Sequence, residues 1–184
     1  MPAVKIGPEE HPVHGGPVIG VFAPCDPRID EQSRIRAGNI IKIIADVVAD
    51  EVRMPDGTAV PVVYSDVLIQ GESEADTVAR QFKVHGVNIL IGVPDTWAFP
   101  QLTLLSLLSQ FPKDTPINLT CGNSAPKPGV VYTHAAAGAV AQSGRLMHIN
   151  VGNWPDTGPK PAMSLSGPKT PSSIGPMRPS PTRG

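Results

Sequence analysis

The chain has 184 residues, of which 22 are proline and 18 are glycine, nearly double the usual share of those two residues, and 40% are apolar. The length excludes a large multidomain enzyme on this chain, and the apolar fraction suffices for one core, which excludes disorder throughout. A formal net charge of -1 leaves no electrostatic footprint for nucleic acid or an anionic membrane, so neither is expected as a partner.

Residues 1–16 read as a flexible arm. MPAVKIGPEEHPVHGG lacks the basic segment and apolar stretch of a secretory signal, and no apolar run in the chain approaches the roughly 20 residues that span a bilayer. The expected location is therefore cytoplasmic. Cys25 and Cys121 lie far apart and form no CxxC pair, so neither a disulfide scaffold nor a zinc site is signalled; both read as small buried hydrophobes.

Residues 17–154 alternate strand-like and helix-like patterns. The first strand is expected at Pro17–Ala23, followed by a helix that starts at an Asp30 N-cap. That helix carries Ile40, Ile44, Val47, Val48 and Val52 on one face and stops before Pro55-Asp56-Gly57. A second strand at Val60–Ser65 precedes a helix with Ala75, Val78, Ala79 and Phe82 at helical spacing, opened by a Ser73-x-x-Asp76 capping box and closed by Gly86. Val87–Val93, Thr115–Thr120 and Leu146–Val151 supply three more strands, with helices at Leu102–Phe111 and Val131–Ser143 between them. All five strands read as continuous apolar runs, the mark of strands covered on both faces. Five strands and four helices in alternation predict an α/β three-layer sandwich whose parallel sheet has the flavodoxin-like order 2-1-3-4-5. Residues 155–184 hold 8 of the 22 prolines and little periodic apolar surface, which predicts a disordered Pro/Ser-rich tail.

Ligands of such a sheet sit beyond the carboxyl ends of its strands, near the switch point between the first and third. The unusual residues collect there. Pro24-Cys25-Asp26-Pro27-Arg28-Ile29-Asp30 follows the first strand, Pro94-Asp95-Thr96-Trp97-Ala98-Phe99-Pro100 the third, Cys121 to Gly129 the fourth, and Gly152-Asn153-Trp154-Pro155-Asp156 the fifth. An indole with nearby arginine, asparagine and carboxylate suits a polyhydroxylated ligand, because the ring covers C–H surface while forked donors and acceptors pair with hydroxyls. Competing structural readings exist for each. Trp97 can plug the end of the sheet, Arg28 can serve only to pair with Asp26 or Asp30, Trp154 suits an exposed or interfacial position, and His134 and His148 are isolated.

Three common uses of the architecture fit poorly. The bulky, acidic PCDPRID is not the Ser/Thr/Gly-rich phosphate loop of a flavodoxin, and no G-x-G-x-x-G opens the first helix. Asp26 and Asp95 match the acidic residues of a receiver domain loosely, but Asn153-Trp154 stands where its lysine belongs.

The strings VFAPCDPRIDEQSRIRAGNI, VVYSDVLIQGESEAD, VNILIGVPDTWAFPQLTLLS, INLTCGNSAPKPGVVYTHAAAGAVAQ and HINVGNWPDTG follow in that order between about residues 17 and 158. Together they resemble the N-terminal domain of the L-fucose isomerase family, which is grouped with L-arabinose isomerases. The resemblance implies cytoplasmic, oligomeric, manganese-dependent aldose–ketose isomerases that convert L-fucose to L-fuculose and often D-arabinose to D-ribulose. It implies a Mn²⁺ held by Glu, Asp and His in second and third domains, so neither cofactor nor catalytic residue is expected on this chain. For the first domain it implies sugar recognition, partly in the active site of a neighbouring subunit of a homo-oligomer, by Arg28 and Trp97. Asp26, Asp95, Asn123 and Asn153 are candidates for the rim of that pocket. After WPDTG the chain departs from the family pattern, which suggests a truncated or frame-shifted fragment that is inactive without its downstream domains. The alternative is a stand-alone sugar-binding or protein-interaction module.

Overall fold

The computed structural model describes residues 15–122 and 129–152. Along the chain run β1 (Ile19–Phe22), α1 (Glu31–Glu51), β2 (Val62–Tyr64), α2 (Glu72–Val84), β3 (Ile89–Gly92), α3 (Leu104–Ser109), β4 (Ile117–Gly122), α4 (Val130–Gln142) and β5 (His148–Gly152). The strands form one parallel sheet in the order β2-β1-β3-β4-β5, as the alternation of patterns predicts. Residues 1–14 of the expected arm, the expected rim residues Asn123 and Asn153, and Trp154 with the expected tail lie outside the described residues.

The period-2 alternation of side chains divides the core into two clusters. On one face, Ile19, Val21 and Ala23 of the β1 segment and Val62 of β2 pack against Ile40, Ile41, Ile44, Ala45 and Val48 of α1. On the other, Phe22, Leu90 and Leu119 meet Val78 and Phe82 of α2, Leu104, Leu107 and Leu108 of α3, and Tyr132, Ala136 and Val140 of α4. Every fully buried Leu, Ile or Phe contributes about 1.5–3 kcal/mol of burial free energy, so the second cluster carries the larger share.

Helix ends explain the boundaries. Asp30 caps α1, accepting from the Ser33 backbone N–H at 2.8 Å and from its hydroxyl at 3.1 Å. α2 differs from expectation: its N-cap is Gly71, which has no side-chain cap, and Ser73 lies inside the first turn, where its carbonyl accepts from the Thr77 hydroxyl. Glu72 and Glu74 in that turn favour the positive helix end in place of a capping box. Gly86, at φ 69°, closes α2 in the left-handed conformation that glycine adopts without strain. β5 also differs from expectation. It is an edge strand with His148, Asn150, Val151 and Gly152 exposed, because its residues alternate polar and apolar and only β4 pairs with it.

Candidate functional site

β1 and β3 are neighbours, and β1 is also paired with β2, so the chain crosses to opposite sides of β1 and leaves a crevice beyond its carboxyl end. Two loops frame it. After β1, the backbone continues beside residue 69, with Cys25 N–H donating to the Ile69 carbonyl and Ile69 N–H to the Ala23 carbonyl, both at 2.9 Å. This pairing buries Cys25 completely and leaves Asp26 6% exposed. Desolvation pushes the Cys25 thiol up to about 11, outweighing the opposing Gln70 hydrogen bond and the Arg34 charge.

Asp26 organises the rest of this loop. Its Oδ1 accepts the Arg28 backbone N–H at 2.8 Å, closing an Asx turn, and the same atom accepts Arg28 Nε–H at 2.9 Å. Arg28 Nη2 donates to Asp26 Oδ2 at 2.7 Å, which completes a bidentate fork. Of the two partners open to Arg28 in the sequence, Asp26 is the one used; Asp30 is engaged as the α1 cap. The hydrogen bond to Asp26, followed by its charge, raises the Arg28 pKa from its ordinary value.

The β3 loop contributes the aromatic part. Trp97 is half-buried and meets Phe99 edge to face, with ring centroids 4.4 Å apart and planes at 74°. The Arg28 guanidinium lies over the same Phe99 ring, 5.4 Å from its centroid, so Phe99 joins the two loops through a cation–π contact. Asp95 is 2% exposed, and Arg36 on α1 donates to its Oδ2 at 3.0 Å. Thr103 holds the far end of the loop by donating its hydroxyl to the Phe99 carbonyl at 2.8 Å. Gly129, just before α4, comes so close to the loop that a Cβ there would collide with the Pro94 carbonyl.

Asp26, Arg28, Ile29, Thr96 and Trp97 line one cavity of about 360 Å³. That volume lies within the range of small-molecule sites and accommodates a monosaccharide. An indole, a forked donor and a carboxylate around it can cover a sugar's C–H face while pairing with its hydroxyls. The structure thus brings Arg28, Trp97 and Asp26 to one cavity, whereas Asp95 is buried in its ion pair with Arg36. Sequence reasoning passes over Phe99, Thr96, Ile29 and Arg36. A signal existed for Phe99, an aromatic residue in the same loop as Trp97; none existed for Arg36, which is 59 residues from its partner. Among the described residues, no group of three or more His, Cys, Asp or Glu could hold a metal ion. The donor set for the implied Mn²⁺ is therefore not found among them.

A family model described as "L-fucose isomerase, first N-terminal domain" matches residues 16–166. An L-fucose isomerase of Vibrio vulnificus (strain YJ016) is 30% identical over 129 residues, covering 68% of this chain and 21% of that protein. One from Streptococcus pneumoniae (strain Hungary19A-6) is 28% identical over 131 residues, covering 70% of this chain and 21% of its own length. The chain thus spans about a fifth of the length of these relatives.

Proposed function

The chain belongs to the L-fucose isomerase family as its first N-terminal domain, and from that premise we propose that it is a substrate-recognition domain binding a neutral aldose or ketose through Arg28 and Trp97. The observation that carries this reading is their convergence, from loops nearly 70 residues apart, on one cavity of about 360 Å³ at the switch point of the sheet. Trp97 covers the apolar face of the sugar, and Arg28, held by Asp26, donates to its hydroxyls. Phe99 contacts both side chains, the indole edge to face and the guanidinium through its ring face.

Isomerisation itself belongs, in this reading, to the remaining four-fifths of such an enzyme. The Lewis-acid chemistry of the implied Mn²⁺ would be supplied there, by residues outside this domain; residues of this chain bind and orient the sugar. L-fucose/L-fuculose is the first substrate pair to test and D-arabinose/D-ribulose the second, in a cytoplasmic setting and with the sugar shared between neighbouring subunits.

Titration calorimetry of the full chain with L-fucose and D-arabinose tests the reading. Saturable binding in the millimolar range, abolished by Trp97→Ala, is expected; no binding of either sugar at millimolar concentration overturns it. With Mn²⁺ and L-fucose the chain alone is expected to show no turnover, and turnover at an ordinary enzyme rate would place catalysis on this chain instead.

A further inference from the structure

Arg28 is held in an unusual way for a residue so open to solvent. Its side chain is 70% exposed, yet its carboxylate partner is 8% exposed and takes both of its forked contacts. A guanidinium has five N–H donors. Nε–H and one Nη2–H are spent on Asp26, which leaves the second Nη2–H and both Nη1–H groups without an acceptor among the described residues. The unspent Nη1 and Nη2 edge is itself a planar two-donor fork. The Asx turn from Arg28 N–H to Asp26 Oδ1 fixes the backbone beneath it, and the Phe99 ring supports the guanidinium plane at 5.4 Å.

Charge matters as much as geometry. Asp26 compensates Arg28, Asp95 compensates Arg36, and Arg34, which donates to the Ile29 carbonyl, lies 3.6 Å from Glu31, so each of these three cations around the crevice has a carboxylate partner. A phosphate or carboxylate entering the cavity gains little from an arginine already neutralised by a buried carboxylate, and it must approach the Asp26 oxygens. A vicinal diol loses nothing, because it needs donors rather than charge.

We infer that Asp26 is the positioning residue of this site: it presents Arg28 as a preorganised, charge-compensated fork that takes a neutral vicinal diol and turns away anionic ligands. The inference rests on the proposed sugar-binding role of Arg28 and Trp97 and goes beyond it by assigning Asp26 the selectivity.

The experiment is calorimetry on the full chain with L-fucose as the neutral probe and inorganic phosphate as the anionic one, for wild type, Asp26→Asn, Asp26→Glu, Asp26→Ser and Trp97→Ala. Asparagine turns an NH₂ toward the arginine, breaking the fork and freeing its charge. Asp26→Asn is expected to weaken L-fucose binding about three- to tenfold, the factor for ordering one rotamer-rich side chain, and to gain saturable, salt-sensitive phosphate binding that wild type lacks. Asp26→Glu, which restores the charge, is expected to lose the phosphate binding again. A purely structural role would weaken L-fucose binding with no gain of phosphate binding, and that outcome overturns the selectivity assigned to Asp26. If a folded Asp26→Asn binds L-fucose as wild type does and gains no phosphate, the inference is overturned while the sugar-binding reading stands. Should Asp26→Asn fail to fold, Asp26→Ser decides on the same two readouts: weakened L-fucose binding with a gain of phosphate binding supports the inference, and wild-type behaviour toward both probes overturns it. If Trp97→Ala binds L-fucose as wild type does, the underlying reading falls and this inference with it.

Discussion

Thr96 lines the cavity, is 3% exposed, and its hydroxyl has no hydrogen-bond partner among the described residues. A buried unsatisfied hydroxyl costs about 1–3 kcal/mol, and valine has the same shape without that cost. Thr96→Val is therefore expected to raise the melting temperature by about 2–4 °C in scanning calorimetry, and a fall would refute the assignment of an unpaired hydroxyl. Cys25 makes a pH-dependent prediction. Burial raises its pKa from 9.0 to about 11, so the folded state keeps the thiol proton to higher pH than the unfolded state does. The stability this contributes is fully present below about pH 9 and is lost as pH rises through about 11. Cys121 and Tyr132 are shifted upward by burial as well and add to the decline. Melting temperatures recorded from pH 7 to 11 are expected to stay level and then fall, with a shallower fall in Cys25→Ala; equal slopes for the two proteins would contradict the role given to Cys25.

Between elements, a short polar chain connects α4 to the site. Thr103 spends its one hydroxyl proton on the Phe99 carbonyl, so in its 3.0 Å contact with the Tyr132 hydroxyl the tyrosine is the donor. Tyr132 is fully buried on α4, while Phe99 carries both Arg28 and Trp97. Thr103→Val removes both of its bonds, and Tyr132→Phe removes the Thr103 bond together with the Leu104 backbone hydrogen bond, so each is expected to cost about 1–3 kcal/mol. Urea midpoints measure both, and a wild-type midpoint in either variant would refute the contribution of the bonds it removes. Such a chain is invisible in sequence, because Thr103 and Tyr132 are 29 residues apart and each reads as an ordinary helix residue. Legible features are those written in periodicity: the α1 apolar face, the strand runs and the Asp30 cap follow from local spacing alone. The Gly71 cap of α2 is not legible, since a Ser-x-x-Asp pattern starting at the second residue of the helix looks like a start signal although the helix has already begun. In the site, Arg28 and Trp97 stand out by residue type, but the Asp26 fork, the Phe99 bridge and Arg36 on Asp95 arise only when the loops are folded onto one another.

At the scale of the molecule, the sheet is covered unevenly. α2, α3 and α4 cover one face across β1, β3 and β4, while on the other face α1 covers β1, β2 and part of β3. Beyond α1 the chemistry changes. Asn118 and Thr120 alternate with the buried Ile117 and Leu119, and their register partners His148 and Asn150 continue the same polar face into β5, where Asn150 donates to Asn118 Oδ1 at 3.3 Å. Parallel strands are ordinarily covered on both faces by apolar packing. Among the described residues α4 packs against β5 and Ile149 is half-buried, while the other residues of β5 are exposed and Leu146 just before it is 92% exposed. Local opening free energies track buried apolar contacts, so they should fall from the centre of the sheet to this edge. Hydrogen exchange read by mass spectrometry is therefore expected to show His148–Gly152 exchanging first among the strands and β1 and β3 last, at rates set by global unfolding. Because both site loops leave from β1 and β3, the same gradient makes the cavity the best anchored part of the domain. Protection in β5 equal to that of β1 would mean that the polar face is covered, and the order of exchange between β5 and β3 decides between the two.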